Sequence, residues 1–510
     1  MDDLFPNFSS FAERYENGAP QVLTSRLVSD LETPVSAFLK LAGDGTNAFL
    51  LESVEGGEQL GRYSIIGMAP DAVWRAKGDK AELNLHAATK PDTFVAETQP
   101  PLESLKAFVD ASRIDLPEDA PPMSAGVFGY LGYDLVRQVE HLPNRPTAYT
   151  DIPDAVMVRP TLIAVFDNIR QEISLVATAR PTASQSAQTA YDAAAARIKD
   201  ARARLAGPLP QSDGVAPSVE AASAEAAAAK GLAENGPTSN MEKARFFDMV
   251  DKAKDHIRAG DIFQVVLSQR FETPFTAAPF TLYRSLRRTN PSPFLFYLNF
   301  DDLALVGSSP EILVRVRKGE VSIRPIAGTR RRGRNAAEDA ALAEELLADP
   351  KERAEHLMLL DLGRNDVGRS AEIGSVNVTE EFIIERYSHV MHIVSHVVGD
   401  LRSDIHPVDA VGAGFPAGTV SGAPKIRAME IIDDLEHDGR GAYGGAIGYF
   451  SADGDVDTCI ALRTAMVKDG VMYVQAGAGI VADSDPSSEH EECVNKARAL
   501  FAAAEAALKR

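Results

Sequence analysis

Between residues 179 and 240 the chain stops reading like the inside of a folded protein. Ala, Ser, Pro and Gly crowd out aromatic and branched side chains there, most strongly over 207–239. Such a stretch buries too little apolar surface to offset the entropy lost on ordering it, so it acts as a divider. It splits the 510 residues, more than one hydrophobic core usually serves, into an N-terminal lobe over 1–180 and a second domain over 239–510. The two can be separate units or lobes of one composite fold. Within the divider, 181–238, an Ala-rich helix is expected near 187–206, followed by a linker.

Elsewhere the composition is that of a globular protein, with 45% hydrophobic and 25% charged residues, which excludes a disordered or fibrous chain. The 52 Lys and Arg against 73 Asp and Glu leave a net charge of -21, which repels nucleic acid and anionic membranes. An anionic substrate therefore needs local cations. The run Arg330, Arg331, Arg332 and Arg334 reads as a loop paired with its own carboxylates. Cys459 and Cys493 are too few for a disulfide framework and form no CxxC pair, which fits a reducing compartment. With no signal-peptide pattern and no apolar stretch long enough to span a bilayer, the expected location is the cytoplasm.

Thr161-Leu-Ile-Ala-Val-Phe and Glu172-Ile-Ser-Leu-Val-Ala flank Asp167-Asn168 as strand, turn and strand. Ser239 and Glu242 have capping-box spacing before the apolar stripe Phe246, Phe247, Val250, Ala253 and Ile257. Strand patterns follow at 263–271, at 312–316 paired with 321–326, at 444–451 and at 471–476. Helices are expected at 336–348, 351–362, 386–399, 423–435 and 488–508. Hairpins mixed with helices, without strand-helix alternation, predict an α+β fold.

Glu352 and Glu355 lie three apart on one expected helix. Glu489 and Glu492 do so on another, with Lys496 four further along. Should those helices face each other, four carboxylates converge and a hard divalent cation would neutralise them. The spacing alone favours solvated faces, and Asp349-Pro350-Lys351-Glu352 also reads as a helix start with Glu352 capping. His389, His392 and His396 share one face of the expected 386–399 helix, but a zinc protease would need Glu at position 393, which is Ile. Gly363-Arg-Asn-Asp-Val-Gly368-Arg369-Ser370 lacks the P-loop Lys. Gly418-Thr-Val-Ser-Gly422-Ala-Pro-Lys425 misses the P-loop spacing and suits close approach of backbone N–H groups to an anion.

Ser309-Pro310-Glu311, Arg324-Pro-Ile-Ala-Gly-Thr-Arg330, Lys351-Glu-Arg-Ala-Glu-His356, Asp361-Leu-Gly-Arg-Asn-Asp366 and Gly418-Thr-Val-Ser-Gly-Ala-Pro-Lys425 together closely resemble the chorismate-utilising enzymes. Cys459-Ile-Ala-Leu-Arg463, Gln475-Ala-Gly-Ala-Gly-Ile480 and Glu489-His-Glu-Glu-Cys-Val-Asn-Lys496 complete the set in the family's order. The resemblance is dense over roughly 240–510 and sparser before. It implies the family's fold, two large, mainly antiparallel sheets packed together and flanked by helices, with 239–510 as the chorismate-binding catalytic domain.

The resemblance also implies a site. Glu355 and Glu492 would be Mg²⁺ ligands, with Glu352 and Glu489 completing the shell, and the ion would hold the ring carboxylate of chorismate. Gly328, Thr329, Gly477, Ala478 and Gly479 would surround the substrate, with Tyr443 and Arg463 gripping the enolpyruvyl side. Glu311 would be the general acid, and His392, Thr419 and Lys496 would complete the catalytic set. The family's aminodeoxychorismate synthases have a nucleophilic Lys where this chain has Ala327. The implied reaction is therefore that of the anthranilate synthase large component, chorismate and ammonia going to anthranilate and pyruvate. An aminodeoxychorismate synthase, or a non-catalytic regulatory subunit, is the competing reading.

Leu50-Leu51-Glu52-Ser53 and Asn290-Pro-Ser-Pro-Phe-Leu295 resemble the family's tryptophan feedback pocket. Glu52, Ser53, Pro293, Phe294, Leu295, Tyr449, Asp457 and Cys459 would line it. The family's Tyr-Met after Pro293 is Phe294-Leu295 here, which keeps an apolar wall and loses a hydroxyl. Neither Cys stands in a nucleophile-elbow context, so a separate glutaminase subunit is expected to supply ammonia within a hetero-oligomer.

Overall fold

A computed structural model describes residues 4–43, 45–55, 59–210, 225, 227–232, 234, 236–387 and 390–509. Its strands link into one continuous hydrogen-bonded network, and strands from the two sides of the divider pair directly. Ala48–Glu55 runs antiparallel to Phe294–Phe300, and Gly126–Leu131 runs antiparallel to Ala446–Ser451.

Side-chain alternation along these strands explains the layering, because successive residues face opposite sides of a sheet. Phe49, Ile65, Phe296 and Leu305 point into one apolar cluster, while their neighbours Leu50, Ile66, Leu295 and Val306 point into a second. On other strands, Phe128, Ile447 and Cys459 join the first cluster, while Val127, Ala446 and Ile460 enter a third. The first cluster is therefore the core between two sheet layers. The second and third are outer cores, each completed by helices.

Two long strands pass from layer to layer. Gln59–Lys77 places Ile66 and Met68 in one outer core, then Ala72 and Trp74 in the other. Its partner Ala155–Asp167 does the same with Ala164 and Met157. The crossing falls where the register slips between Pro70 and Ala72, beside Ala69 at φ 51°. A bulge there adds the bend that changes layers.

The Ala187–Ala206 helix forms as its composition predicts. Ser186 caps it by accepting from the Thr189 N–H, and Ala190, Ala194, Ile198, Ala201 and Leu205 make its buried stripe. Ala336–Ala348, Lys425–Leu435 and Pro486–Leu508 match their expected spans closely, and Pro350–Gly368 runs one and a half turns further. The expected helix over 386–399 is instead the strand Val390–Asp400, paired with both Asn377–Arg386 and Ile326–Arg331. His392 and His396 thus belong to a strand, and His389 lies outside the described residues. The expected strand over 321–326 stops at Ile323, and a new one starts at Ile326 beyond Pro325, which has no N–H for a ladder. Ser239 does not cap a helix; Glu242 takes the cap position of Lys243–Ala259 without a side-chain bond. At the start of Pro350–Gly368, Asp349 is the cap, and Glu352 bonds Arg330 instead.

Just past the end of Lys425–Leu435 lies a buried ionic knot. Arg440, 2% exposed, donates to both oxygens of Glu436 and to the carbonyls of Val420 and Val266, and lies over the rings of Tyr133 and Tyr443. Glu436 in turn accepts from the Ser268 N–H and hydroxyl. Removing one partner of such a pair leaves a buried charge alone. Arg440→Met should cost about 3–5 kcal/mol of stability, read from urea unfolding midpoints; an unchanged midpoint would show that the knot is relieved by solvent.

Candidate active site

Gly328 interrupts the Ile326–Arg331 strand at φ 67°, where the register against Val390–Asp400 slips. Its carbonyl thereby reaches the His392 Nδ1 at 2.9 Å, and the Thr329 hydroxyl lies 3.2 Å from the same nitrogen. A hydrogen on Nδ1 satisfies that carbonyl and leaves Nε2 as the nitrogen able to accept a proton. Burial pushes the His392 pKa down to about 4, against the raising effect of the Gly328 bond, so the ring is neutral over the physiological range. A Cβ at 328 would sit 3.1 Å from the Glu352 carboxylate, so glycine lets the Pro350–Gly368 helix come close.

Glu311 follows the Leu303–Ser309 strand and is buried at 7% exposure. The Thr419 hydroxyl donates to its carboxyl at 3.1 Å, from a turn that packs tightly because a Cβ on Gly418 would strike Leu362. Burial dominates and raises the Glu311 pKa to about 8, although Thr419, the Ile326 N–H, Arg463 and Lys496 all oppose the rise. A carboxyl held protonated near neutrality is equipped to give up a proton.

The cations stand nearby. Arg463 is half-buried in the left-handed region at φ 48°, and burial lowers its pKa while Glu311 and Tyr387 raise it. Lys496 donates to the Gly477 carbonyl at 2.8 Å and pairs with Glu492 at 2.7 Å. Gly477, Ala478 and Gly479 lie on Val471–Ile480. A Cβ on Gly477 would come 2.7 Å from the Tyr443 hydroxyl, and one on Gly479 would strike Gln264. That strand presents backbone, with Tyr443 beside it.

The four glutamates fall on two helices. Burial raises the Glu355 pKa, helped by the charges of Glu352 and Glu492; burial likewise raises that of Glu489, with Glu492 adding to it. These carboxylates repel one another, and they are hard oxygen donors of the type a divalent cation takes. Among the described residues, however, no group of three or more His, Cys, Asp or Glu side chains is gathered tightly enough to hold a metal unaided. The arginine run is self-paired: Arg330 with Glu345, Asp349 and Glu352, Arg331 with Glu338, and Arg332 with Asp339. Ala327 is buried on the strand before Gly328.

A separate cavity of about 860 Å³ is lined by Glu52, Ser53, Pro293, Phe294, Leu295, Tyr449, Asp457 and Cys459, among others. The Glu52 carboxylate is held in the fold by Arg287 at 2.6 Å and by the Tyr283 hydroxyl. Asp457 is likewise engaged by Arg315 and Arg317. Three features escaped the sequence reading: the Ile326 N–H on Glu311, Gln264 against Gly479, and Tyr387, whose ring meets that of His392 edge-on at 5.5 Å. Tyr387 stands five residues before His392, just past the end of Asn377–Arg386, a spacing that marks nothing until the pairing of that strand with Val390–Asp400 is known.

The family model for chorismate binding enzymes matches residues 46–502. The chain is 53% identical to an anthranilate synthase component 1 from Cereibacter sphaeroides over 98% of this chain and 97% of the relative. It is 46% identical to one from Pseudomonas aeruginosa over 94% of each. The solved anthranilate synthase component I from Streptococcus pneumoniae TIGR4 superposes with a TM-score of 0.73 at 35% identity, covering 93% of this chain and 99% of that one. The menaquinone-specific isochorismate synthase from Escherichia coli, 19% identical, shares the fold at a TM-score of 0.66 over 99% of this chain and 100% of that one.

The raised Glu311 pKa has a thermodynamic signature. A carboxyl whose pKa is raised on folding costs stability as pH climbs from its unfolded value towards its folded one. Glu311→Gln carries no such proton, so its unfolding midpoint should gain on the parent's between about pH 5 and about pH 9. A difference that stays flat with pH would mean that Glu311 is ionised throughout.

Proposed function

The chain belongs to the chorismate binding enzymes, and from that premise we propose that it works as the large component of an anthranilate synthase, converting chorismate and ammonia to anthranilate and pyruvate. The observation that carries this reading is the buried, protonated Glu311 set against a neutral His392 with a free Nε2. An amination that expels hydroxide needs an acid, and an aromatising elimination needs a base. Ammonia adds at ring carbon 2 while the carbon 4 hydroxyl departs as water with the Glu311 proton. The new ammonium gives up a proton, which restores that lost by Glu311; His392 Nε2 then takes the proton from carbon 2, the bond from carbon 3 to the ether oxygen breaks as the ring becomes aromatic, and the departing enolate takes up a proton to become pyruvate. Arg463 and Lys496 bring positive charge to an anionic substrate in an acidic chain. Ala327 offers no amine to compete with ammonia, which separates this chemistry from that of an aminodeoxychorismate synthase.

Glu355 and Glu492, with Glu352 and Glu489, would hold Mg²⁺. When bound, the ion neutralises the ring carboxylate and the charge developing on the conjugated ring. Ammonia drawn from glutamine would come from a glutaminase partner, since both cysteines here are buried and burial raises both thiol pKa values, that of Cys493 to about 12. The 860 Å³ cavity suits L-tryptophan as a feedback inhibitor, with Phe294 and Leu295 as an apolar wall for the indole and Ser53 at the polar end. Glu52 serves that pocket as a fixed wall. No helix among the described residues is long and apolar enough to cross a membrane, and a cytoplasmic enzyme is proposed.

Incubated with chorismate, Mg²⁺ and an ammonium salt, the purified chain should produce anthranilate fluorescence, and glutamine should not replace ammonium. Chelation should abolish turnover, and Glu355→Gln or Glu492→Gln should each remove most of it with the fold intact. Full activity in both variants would return these carboxylates to ordinary surface roles. For the cavity, Ser53→Phe should relieve tryptophan inhibition while leaving turnover without tryptophan little changed; a fully sensitive variant would show that the inhibitor binds elsewhere.

A further inference from the structure

Tyr387 belongs to two sites at once. It lines the 860 Å³ cavity together with Glu385 and Arg324, and the same ring makes the edge-on contact with His392. Arg463 lies within electrostatic reach of both Tyr387 and Glu311. Among the described residues the hydrogen bonds of the His392 ring all fall on Nδ1, with the Gly328 carbonyl and the Thr329 hydroxyl, which fix one edge and leave rotation about it to be limited by packing. An edge-to-face aromatic neighbour limits such rotation.

Tyr387 is itself tethered. Its hydroxyl donates to Glu385 at 2.7 Å, Glu385 pairs with Arg324 at 2.5 Å, and Arg324 also pairs with Glu380. The Arg324 Nε is buried without a hydrogen-bond partner, so this guanidinium is incompletely satisfied where it borders the cavity. An occupant that draws on Arg324 or Glu385 loosens the hydroxyl of Tyr387. Glu311 also has cavity residues on either side, Pro310 and Ile312, but backbone pins it there: the Ile460 N–H donates to its carbonyl and the Ser309 hydroxyl to the Ile460 carbonyl. Tyr387 is pinned through its backbone as well, its N–H donating to the Val390 carbonyl and its carbonyl accepting from Arg332, so the part that an occupant of the cavity can move is its ring and hydroxyl.

We propose that Tyr387 is a positioning residue: its ring orients His392 for proton transfer, and its hydroxyl tether to Glu385 transmits occupancy of the cavity to that ring. The inference rests on the reading of the cavity as the tryptophan site.

The two functions separate in two variants of the full chain, tested with Mg²⁺, chorismate and ammonium. Tyr387→Leu removes the ring and should lower kcat by roughly ten- to a hundredfold, the scale of a misplaced reacting group. Tyr387→Phe keeps the ring against His392 and should restore most of that turnover. The coupling is the ratio of tryptophan dissociation constants with and without saturating chorismate, measured by calorimetry. It should be roughly 5- to 150-fold in the parent and fall towards one in Tyr387→Phe. A residue with a merely structural role would lower the active fraction and leave that ratio at the parent's value. Parental coupling in Tyr387→Phe, loss of tryptophan binding by that variant, or parental kcat in Tyr387→Leu would each overturn the proposal. A parent that binds no tryptophan overturns the cavity reading and takes the inference with it, and that failure is visible before any variant is made.

Discussion

The structure depends first on how closely its two sheet layers meet. Phe49 from one layer stacks on Phe128 from the other with ring centroids 4.5 Å apart, and Tyr449 lies 5.4 Å from Phe128. Room for these rings comes from missing side chains. A Cβ on Gly67 would stand 2.1 Å from the Phe49 ring, and one on Gly307 would stand 2.0 Å from that of Phe296. Gly67 and Gly307 are the ladder partners of Phe49 and Phe296, so the missing side chains let each ring lie across its own sheet, in an interior packed at crystal-like density. Strand alternation then assigns every neighbouring residue to an outer core. The cavity opens where the inner faces turn to smaller groups, Ser53, Gly448 and Cys459.

The same alternation brings cavity and catalytic residues together. Pro310 and Ile312 border the cavity while Glu311 between them meets Thr419. Tyr387 borders it and touches His392, and Ile326 borders it while its N–H serves Glu311. A wall one residue thick conducts strain because packed side chains have few other places to go. In such a geometry a ligand in the cavity is already adjacent to residues that touch Glu311 and His392.

Much of this was legible in the sequence where local signals were strong. Ala187–Ala206 is legible from its Ala-rich composition, and the structure adds the caps, Ser186 there and Asn335 at the start of Ala336–Ala348. The failure at 386–399 has an equally local cause. Val390-Met-His-Ile-Val-Ser-His-Val-Val398 is apolar at most positions and is buried through most of its length, and periodicity cannot separate a buried strand from a helix in such a run. Its β-branched density favoured the strand, but the histidine spacing drew the eye to a helical face. For the site, motif order was informative because Glu311, Gly328, Thr419 and Gly477 each sit where a turn, a glycine or a strand end dictates backbone. Tyr387, Gln264 and the Ile326 N–H were not legible, since what they do depends on pairings between strands that spacing along the chain does not encode.

Electrostatics decides what the site can hold. The chain is acidic at -21 overall, yet each site carboxylate nearest the catalytic strands has its charge answered individually. Glu311 loses its charge to burial, Glu352 is met by Arg330, and Glu492 is met by Lys496. Glu355 and Glu489 are left half-buried, both with pKa values raised. Two negative charges on these two helices would repel an anionic substrate that Arg463 and Lys496 attract. In the proposed site Glu355 and Glu492, with Glu352 and Glu489, would hold Mg²⁺, which would supply the positive charge that this balance lacks. Lys496 has two partners on the chain, the Glu492 carboxylate and the Gly477 carbonyl, so a cation that took over Glu492 would leave the ammonium beside the backbone of Gly477.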